Sequence, residues 1–155
     1  IHVNGTAHEV RDAWLGESLL YVLRERLGLL AAKGASEQGA CGSCSVEVDG
    51  RLVCSCLVLA ASALDRPITT VEGLAAPGAP SDLQQAFVEE DALQCGYCTP
   101  GQVMAAEGFL RANAAPTVAE IQSGMSGNLC RCGAYQHIVN AVADVGENRR
   151  NGGEK

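Results

Sequence analysis

Hydrophobic positions follow two different rhythms along this chain. In the first half, short apolar runs are broken by turn residues. Ile1–Val3 and Thr6–Val10 flank Asn4-Gly5, a pair that tolerates positive φ and so predicts a type I′ hairpin. From Ser18 the spacing turns helical: Leu19, Leu20, Leu23 and Leu27 share a face, with Ser18 as N-cap and Gly28 as the stop. Val46, Val48 and Leu52 surround Asp49-Gly50, a second hairpin signal, and Ile68–Glu72 reads as a further strand. One helix packed on a small mixed sheet is the simplest arrangement for this half.

Gly73–Ser81 contains Pro77, Gly78 and Pro80 and reads as a linker. Beyond it strand signals nearly vanish. Ser81 is expected to cap a helix through about Glu90. Thr99-Pro100 predicts an N-cap with proline at N1, where its missing N–H costs nothing, and a helix through Val103, Ala106 and Leu110. Thr117-Val118-Ala119-Glu120 is a capping box. Tyr135, Ile138, Val139, Val142 and Val145 form the last helical stripe, followed by an expected frayed tail, Asn148–Lys155, with Arg149 and Arg150 solvated. The fold class is therefore α+β, with units expected at 1–74 and 75–155, the second a compact helical bundle.

Composition sharpens this picture. Hydrophobic residues make up 47% of the 155 positions but aromatics only 4%, so the cores must be built from Ala, Val and Leu. Two units of this size are each marginal on apolar burial, and metal sites are a common way to stabilise such domains. A net charge of −7 with scattered basic residues excludes a nucleic-acid binder. The longest strongly apolar stretch, Cys56–Leu64, is interrupted by Ser62 and is too short to span a bilayer. Nothing reads as a signal peptide, so the expected compartment is the cytoplasm, where thiols serve as ligands or redox groups.

The eight cysteines carry the chemistry. Cys41/Cys44, Cys95/Cys98 and Cys130/Cys132 are too close in sequence for good disulfides but suit chelation of a single centre. Cys41-Gly42-Ser43-Cys44 lies in a glycine-rich loop, and Cys56 follows Cys44 by twelve positions. Gly34, Gly39 and Gly42 would let backbone N–H groups wrap the sulfides of an iron–sulfur cluster. Plant-type 2Fe–2S sites use C-x4-C-x2-C and a distant fourth cysteine, which puts the first ligand at position 36, where Ser36 stands. In the second half, Cys95/Cys98 and Cys130/Cys132 each precede a predicted helix, whose N-terminus favours thiolate and cluster charge; Arg131 sits between two of them. Structural zinc or buried free cysteines would also satisfy the residue types. However, a C-x-C pair 31 residues beyond a C-x2-C pair is less typical of zinc knuckles, and the glycine loop favours a cluster.

Together these motifs resemble the small iron–sulfur subunit of molybdenum hydroxylases, the xanthine dehydrogenase, aldehyde oxidoreductase and carbon monoxide dehydrogenase superfamily. The resemblance covers nearly the whole chain. It rests on Glu37-Gln38-Gly39-Ala40-Cys41-Gly42-Ser43-Cys44, Cys56-Leu57, Gln94-Cys95-Gly96-Tyr97-Cys98-Thr99-Pro100-Gly101 and Gly127-Asn128-Leu129-Cys130-Arg131-Cys132. It implies a β-grasp, plant-type ferredoxin-like domain followed by a four-helix bundle, each with a 2Fe–2S cluster. The ligands would be Cys41, Cys44 and Cys56, with Ser36 in the fourth position, and Cys95, Cys98, Cys130 and Cys132. Gln94 and Cys132 would approach the pterin of a molybdenum cofactor. That cofactor and FAD would sit on a large and a medium partner subunit, in a dimer of heterotrimers. Electrons would pass from molybdenum through both clusters to FAD or another acceptor.

Ser36 departs from the family pattern. A serine alkoxide can ligate iron; alternatively Cys54 substitutes, since in an extended strand it would face the same way as Cys56. The favoured reading of Cys54 is a small buried hydrophobe. His2, His8 and His137 are expected to be surface or packing residues, Trp14, Met104 and Met125 to serve packing alone, and no nucleophile–base pair or phosphate loop appears. The chain is expected to do no bond chemistry itself. A free-standing two-cluster ferredoxin and a zinc-stapled interaction module are the alternative readings.

Overall fold

The computed structural model describes residues 1–75 and 78–152. Both predicted hairpin turns form: Asn4 and Gly5 have φ of 52° and 77°, Asp49 and Gly50 of 53° and 75°. They fold β1 (His2–Val3) onto β2 (Thr6–Ala7) and β3 (Ser45–Val48) onto β4 (Arg51–Cys54). Between the hairpins runs β5 (Pro67–Thr69), parallel to β1 and antiparallel to β3, so the mixed five-stranded sheet has the order β2-β1-β5-β3-β4. Strand β5 is shorter than the predicted Ile68–Glu72. Thr70 leaves the ladder to donate its N–H to the Asn4 side chain at 2.9 Å, and Val71–Gly73 closes into a 3-10 turn.

Ser18 caps α1 (Leu19–Tyr21), accepting the Tyr21 N–H at 3.2 Å. The helix then widens into a π turn, Val22–Arg26, and Gly28 at φ 69° follows it. Leu19, Leu20 and Leu23 pack on Val3, Val46, Val48 and Ile68, the first apolar core.

Four helices follow: α2 (Asp82–Glu89), α3 (Thr99–Ala112), α4 (Val118–Gly124) and α5 (Tyr135–Gly152). Capping boxes start α2 (Ser81 with Gln84) and α4 (Thr117 with Glu120). Leu83, Phe87, Ala106, Ile121, Ile138 and Val142 anchor a second core. Of the predicted linker, Ala76 and Pro77 lie outside the described residues. Its flank is docked rather than free, because the Gln84 amide donates to the Val71 carbonyl at 3.0 Å and Leu74 packs on the helical core.

Three expectations are corrected. The N-cap of α3 is Cys98, not Thr99, because Gly96 (φ 77°) turns the chain early and Thr99 N–H already bonds the Gly96 carbonyl. Pro100 is therefore at the second helical position. The end of the chain is helical through Gly152, held by Arg149, which bonds Asp82 at 2.7 and 2.8 Å and Glu107 at 2.7 Å; Arg150 alone is solvated as expected. The last three residues of the predicted tail lie outside the described ones. Trp14 is 75% exposed rather than packed, whereas Met104 and Met125 are buried. Among the described residues no helix is long and apolar enough to cross a membrane.

The two cores meet where α3 crosses the first cysteine loop. A Cβ on Gly101 would lie 2.4 Å from the Gly42 carbonyl oxygen and 2.9 Å from Ser43 Cα, so backbone rests on backbone. Arg111 of α3 also pairs with Glu47 of β3.

Candidate metal centres

The β3–β4 register assembles half of the first site. Ser45 pairs with Cys54, which brings Cys44, just before β3, beside Cys56 in the 3-10 turn Ser55–Leu57; their Sγ atoms are 3.4 Å apart. The other half comes from the loop ahead of β3. Glu37, Gly39 and Gly42 all take positive φ, which folds the loop back so that the Ser36 hydroxyl donates to Cys41 Sγ at 3.2 Å. The Ala40 N–H in turn donates to Ser36 Oγ at 3.3 Å. Burial pushes the Cys41 thiol up, but hydrogen bonds from Ser36 and from the Ser43 N–H outweigh it and bring it down to about 7. Burial and the Cys44 thiol push Cys56 up to about 11.

Cys54 does not share an extended strand with Cys56, because β4 ends at Cys54 and the chain turns at Ser55. Its thiol lies 3.9 Å from the Gly39 carbonyl and packs against the first core. Burial, then the neighbouring Cys44, raises its pKa.

In the second half, the Gly96 turn presents Cys95 and Cys98 at the start of α3, and the Gly133 turn presents Cys130 and Cys132 ahead of α5. The thiols meet as Cys95 with Cys132 and Cys98 with Cys130. Burial pushes Cys130 up, yet the N–H groups of Ala134, Cys132 and Gly133, together with the Cys98 thiol, bring it below its ordinary value. Backbone N–H from Tyr97, then the Cys132 thiol, lowers Cys95. Burial drives Cys98 up to about 12. Such N–H nests are suited to thiolate and sulfide charge. Cys95, Cys132, Gln94 and Arg131 are exposed, while Cys130 is buried.

A 2Fe–2S rhomb needs four donors, two at each iron, with N–H groups turned toward sulfur. Both sites supply donors in twos: Ser36/Cys41 with Cys44/Cys56, and Cys95/Cys132 with Cys98/Cys130. Among the described residues no three Cys, His, Asp or Glu side chains gather around a single point that could hold one ion. The donor sets fit the cluster. Cys41, Cys95, Cys98 and Cys130 also open onto one cavity of about 410 Å³, so the two sites face each other.

Several residues that join the sites have no role legible in their motifs. The Leu129 N–H donates to the Cys41 carbonyl at 2.9 Å, and buried Asn128 donates to the Gly42 carbonyl at 3.0 Å. Gln102, 1% exposed, donates to the Asn128 carbonyl at 3.1 Å, leaving its own Oε1 without a partner among the described residues. Tyr97 donates to Gly34 O at 2.7 Å across the same junction, and the Tyr135 hydroxyl accepts the Cys130 N–H at 2.9 Å. The available signal was a lone glutamine among small apolar residues in α3.

Residues 70–143 match the family described as the 2Fe-2S binding domain. The chain is 44% identical to the nicotinate dehydrogenase small FeS subunit of Eubacterium barkeri, over 92% of this chain and 90% of that one. It is 46% identical to the xanthine dehydrogenase iron-sulfur-binding subunit of Escherichia coli O157:H7, over 92% and 89%. Among solved structures, it superposes on quinoline 2-oxidoreductase from Pseudomonas putida 86 with a TM-score of 0.87 at 41% identity, over 97% of this chain and 94% of that one.

Proposed function

Because the chain belongs to the small iron–sulfur subunits of the molybdenum hydroxylases, the electron-transfer subunits of these multi-subunit oxidoreductases, we propose that it carries two 2Fe–2S clusters in series. The first is held in a β-grasp, ferredoxin-like unit, 1–74, and the second in a four-helix unit, 75–155. When bound, each cluster takes up and releases one electron. Cys41, Cys44 and Cys56 ligate the first, with Ser36 in the fourth position. Cys95, Cys98, Cys130 and Cys132 ligate the second.

The exposed edge of the second site, with Cys95, Cys132 and Gln94, receives electrons from the molybdenum cofactor of a large partner subunit. Gln94 and Cys132 approach its pterin. Onward passage uses the Leu129 N–H bond to the Cys41 carbonyl, which links the residue beside ligand Cys130 to a ligand of the first site through one hydrogen bond. That contact is the observation that carries the reading, since it makes two separate sites one conduit. From the first site electrons leave to FAD on a medium subunit, in a dimer of heterotrimers. Free thiols in this number suit the reducing cytoplasm.

Purification of the chain with its associated proteins tests the reading. Expected are co-eluting molybdenum and flavin subunits, equal iron and acid-labile sulfide, and two distinct 2Fe–2S EPR signals after dithionite. Zinc without sulfide would overturn the cluster assignment. Clusters without molybdenum or flavin partners would leave a free-standing ferredoxin.

A further inference from the structure

We propose that Ser36 is itself an iron ligand, through its side-chain oxygen, so that the first centre is chemically lopsided: one iron held by Ser36 and Cys41, the other by Cys44 and Cys56. This rests on the reading that a cluster occupies that site. Ser36 Oγ stands 3.2 Å from Cys41 Sγ, the counterpart of the 3.4 Å Cys44–Cys56 contact in the other donor pair. A backbone N–H, from Ala40, already points at the oxygen and would stabilise an alkoxide there.

The competing donor, Cys54, is placed differently. Its Sγ lies beside the Cys44 thiol, on the side that Cys56 already serves, and 3.9 Å from the Gly39 carbonyl. Cys44 already has Cys56 as its companion, and Ser36 is the donor beside Cys41.

Ligation breaks the Ser36 O–H bond, forms an iron–oxygen bond and releases the proton to solvent. Oxygen is a harder donor than sulfur and favours the ferric iron it binds. Ser36 would thus favour the oxidised state on its own side of the site, leaving the Cys44 and Cys56 side the easier to reduce. The first centre consequently has a lower reduction potential than a four-thiolate equivalent, since ligand type and charge set that potential.

An EPR-monitored redox titration of the assembled complex distinguishes the donors. Ser36→Cys is expected to keep both signals but raise the midpoint of the first centre and alter its g-values. Ser36→Ala is expected to abolish the first signal and spare the second, with iron content falling by about half, as four-donor ligation requires. Cys54→Ala is expected to leave both signals and midpoints as they were. An unchanged midpoint and spectrum in Ser36→Cys, or loss of the first signal in Cys54→Ala, overturns the inference. A wild-type complex with only the second signal overturns instead the reading that the first site holds a cluster.

Discussion

The carbonyl oxygen of Cys41 accepts the N–H of Leu129 at 2.9 Å, so a residue of one cysteine loop is bonded directly to a residue of the other. Beside it, Asn128 donates to the Gly42 carbonyl, which also accepts from Ser45 through both its N–H and its hydroxyl. The two candidate centres are therefore fixed to each other through main chain.

Asn128→Ala removes one of the three donors to Gly42 O. Because Ser45 still satisfies that carbonyl, the expected loss is one hydrogen bond, about 1 kcal/mol, and not an orphaned group. Chemical denaturation measures the cost. The magnetic interaction between the two reduced centres should change as well, since the loops lose a strut.

Gly101→Val should be far less tolerated. Its side chain would meet Gly42 and Ser43 main chain, which cannot rotate aside. Overpacking of about 1–3 kcal/mol or more is expected, read as a lowered Tm. A Gly108→Ala change in the same helix meets only ordinary contact at 3.7 Å and serves as the tolerated control.

Arg149 holds the Asp82 carboxyl below the usual carboxylate range, a shift that burial partly opposes. A depressed folded pKa stabilises above the unfolded value, about 4 for an aspartate, and the contribution disappears as pH falls through the folded pKa. Both side chains are partly solvated, so the expected gain is at most about 1 kcal/mol. Stability measured from pH 6 down to pH 3 should show wild type above Arg149→Met at the neutral end, with the gap closing in acid. A constant gap would contradict this origin.

Removal of iron by a chelator under reducing conditions should loosen the cysteine loops before the cores. Amide exchange is expected to rise first at residues 34–44 and 127–133, while Leu19, Leu23, Leu110 and Val142, buried in the cores, stay protected. Exchange rising uniformly across the chain would show that the metal sites and cores melt as one.

Local chemistry made much of this legible. Asn4-Gly5, Asp49-Gly50, Ser81 and Thr117 each impose a turn or cap regardless of what lies beyond, and each forms where the sequence places it. Among the cysteines that spacing singled out, the fold sets Cys44 beside Cys56 and Cys95 beside Cys132. The failures are tertiary. Arg149 reads as tail because its partners, Asp82 and Glu107, are distant in sequence. Trp14 reads as a packing residue by type, yet it is largely exposed. The Cys54–Cys56 geometry is not legible in the sequence, because only the β3–β4 register reveals where the strand stops.

The second site is uneven in its shielding: Cys130 is buried, whereas Cys95 and Cys132 lie open at the surface. Thiolates and sulfides so placed are open to peroxide and dioxygen, which carry cysteine toward sulfenic and irreversible acids. The chain is thus most vulnerable while that edge stands open. Synthesis matched to its neighbours, or air-free handling of the solitary polypeptide, becomes a requirement set by two side chains.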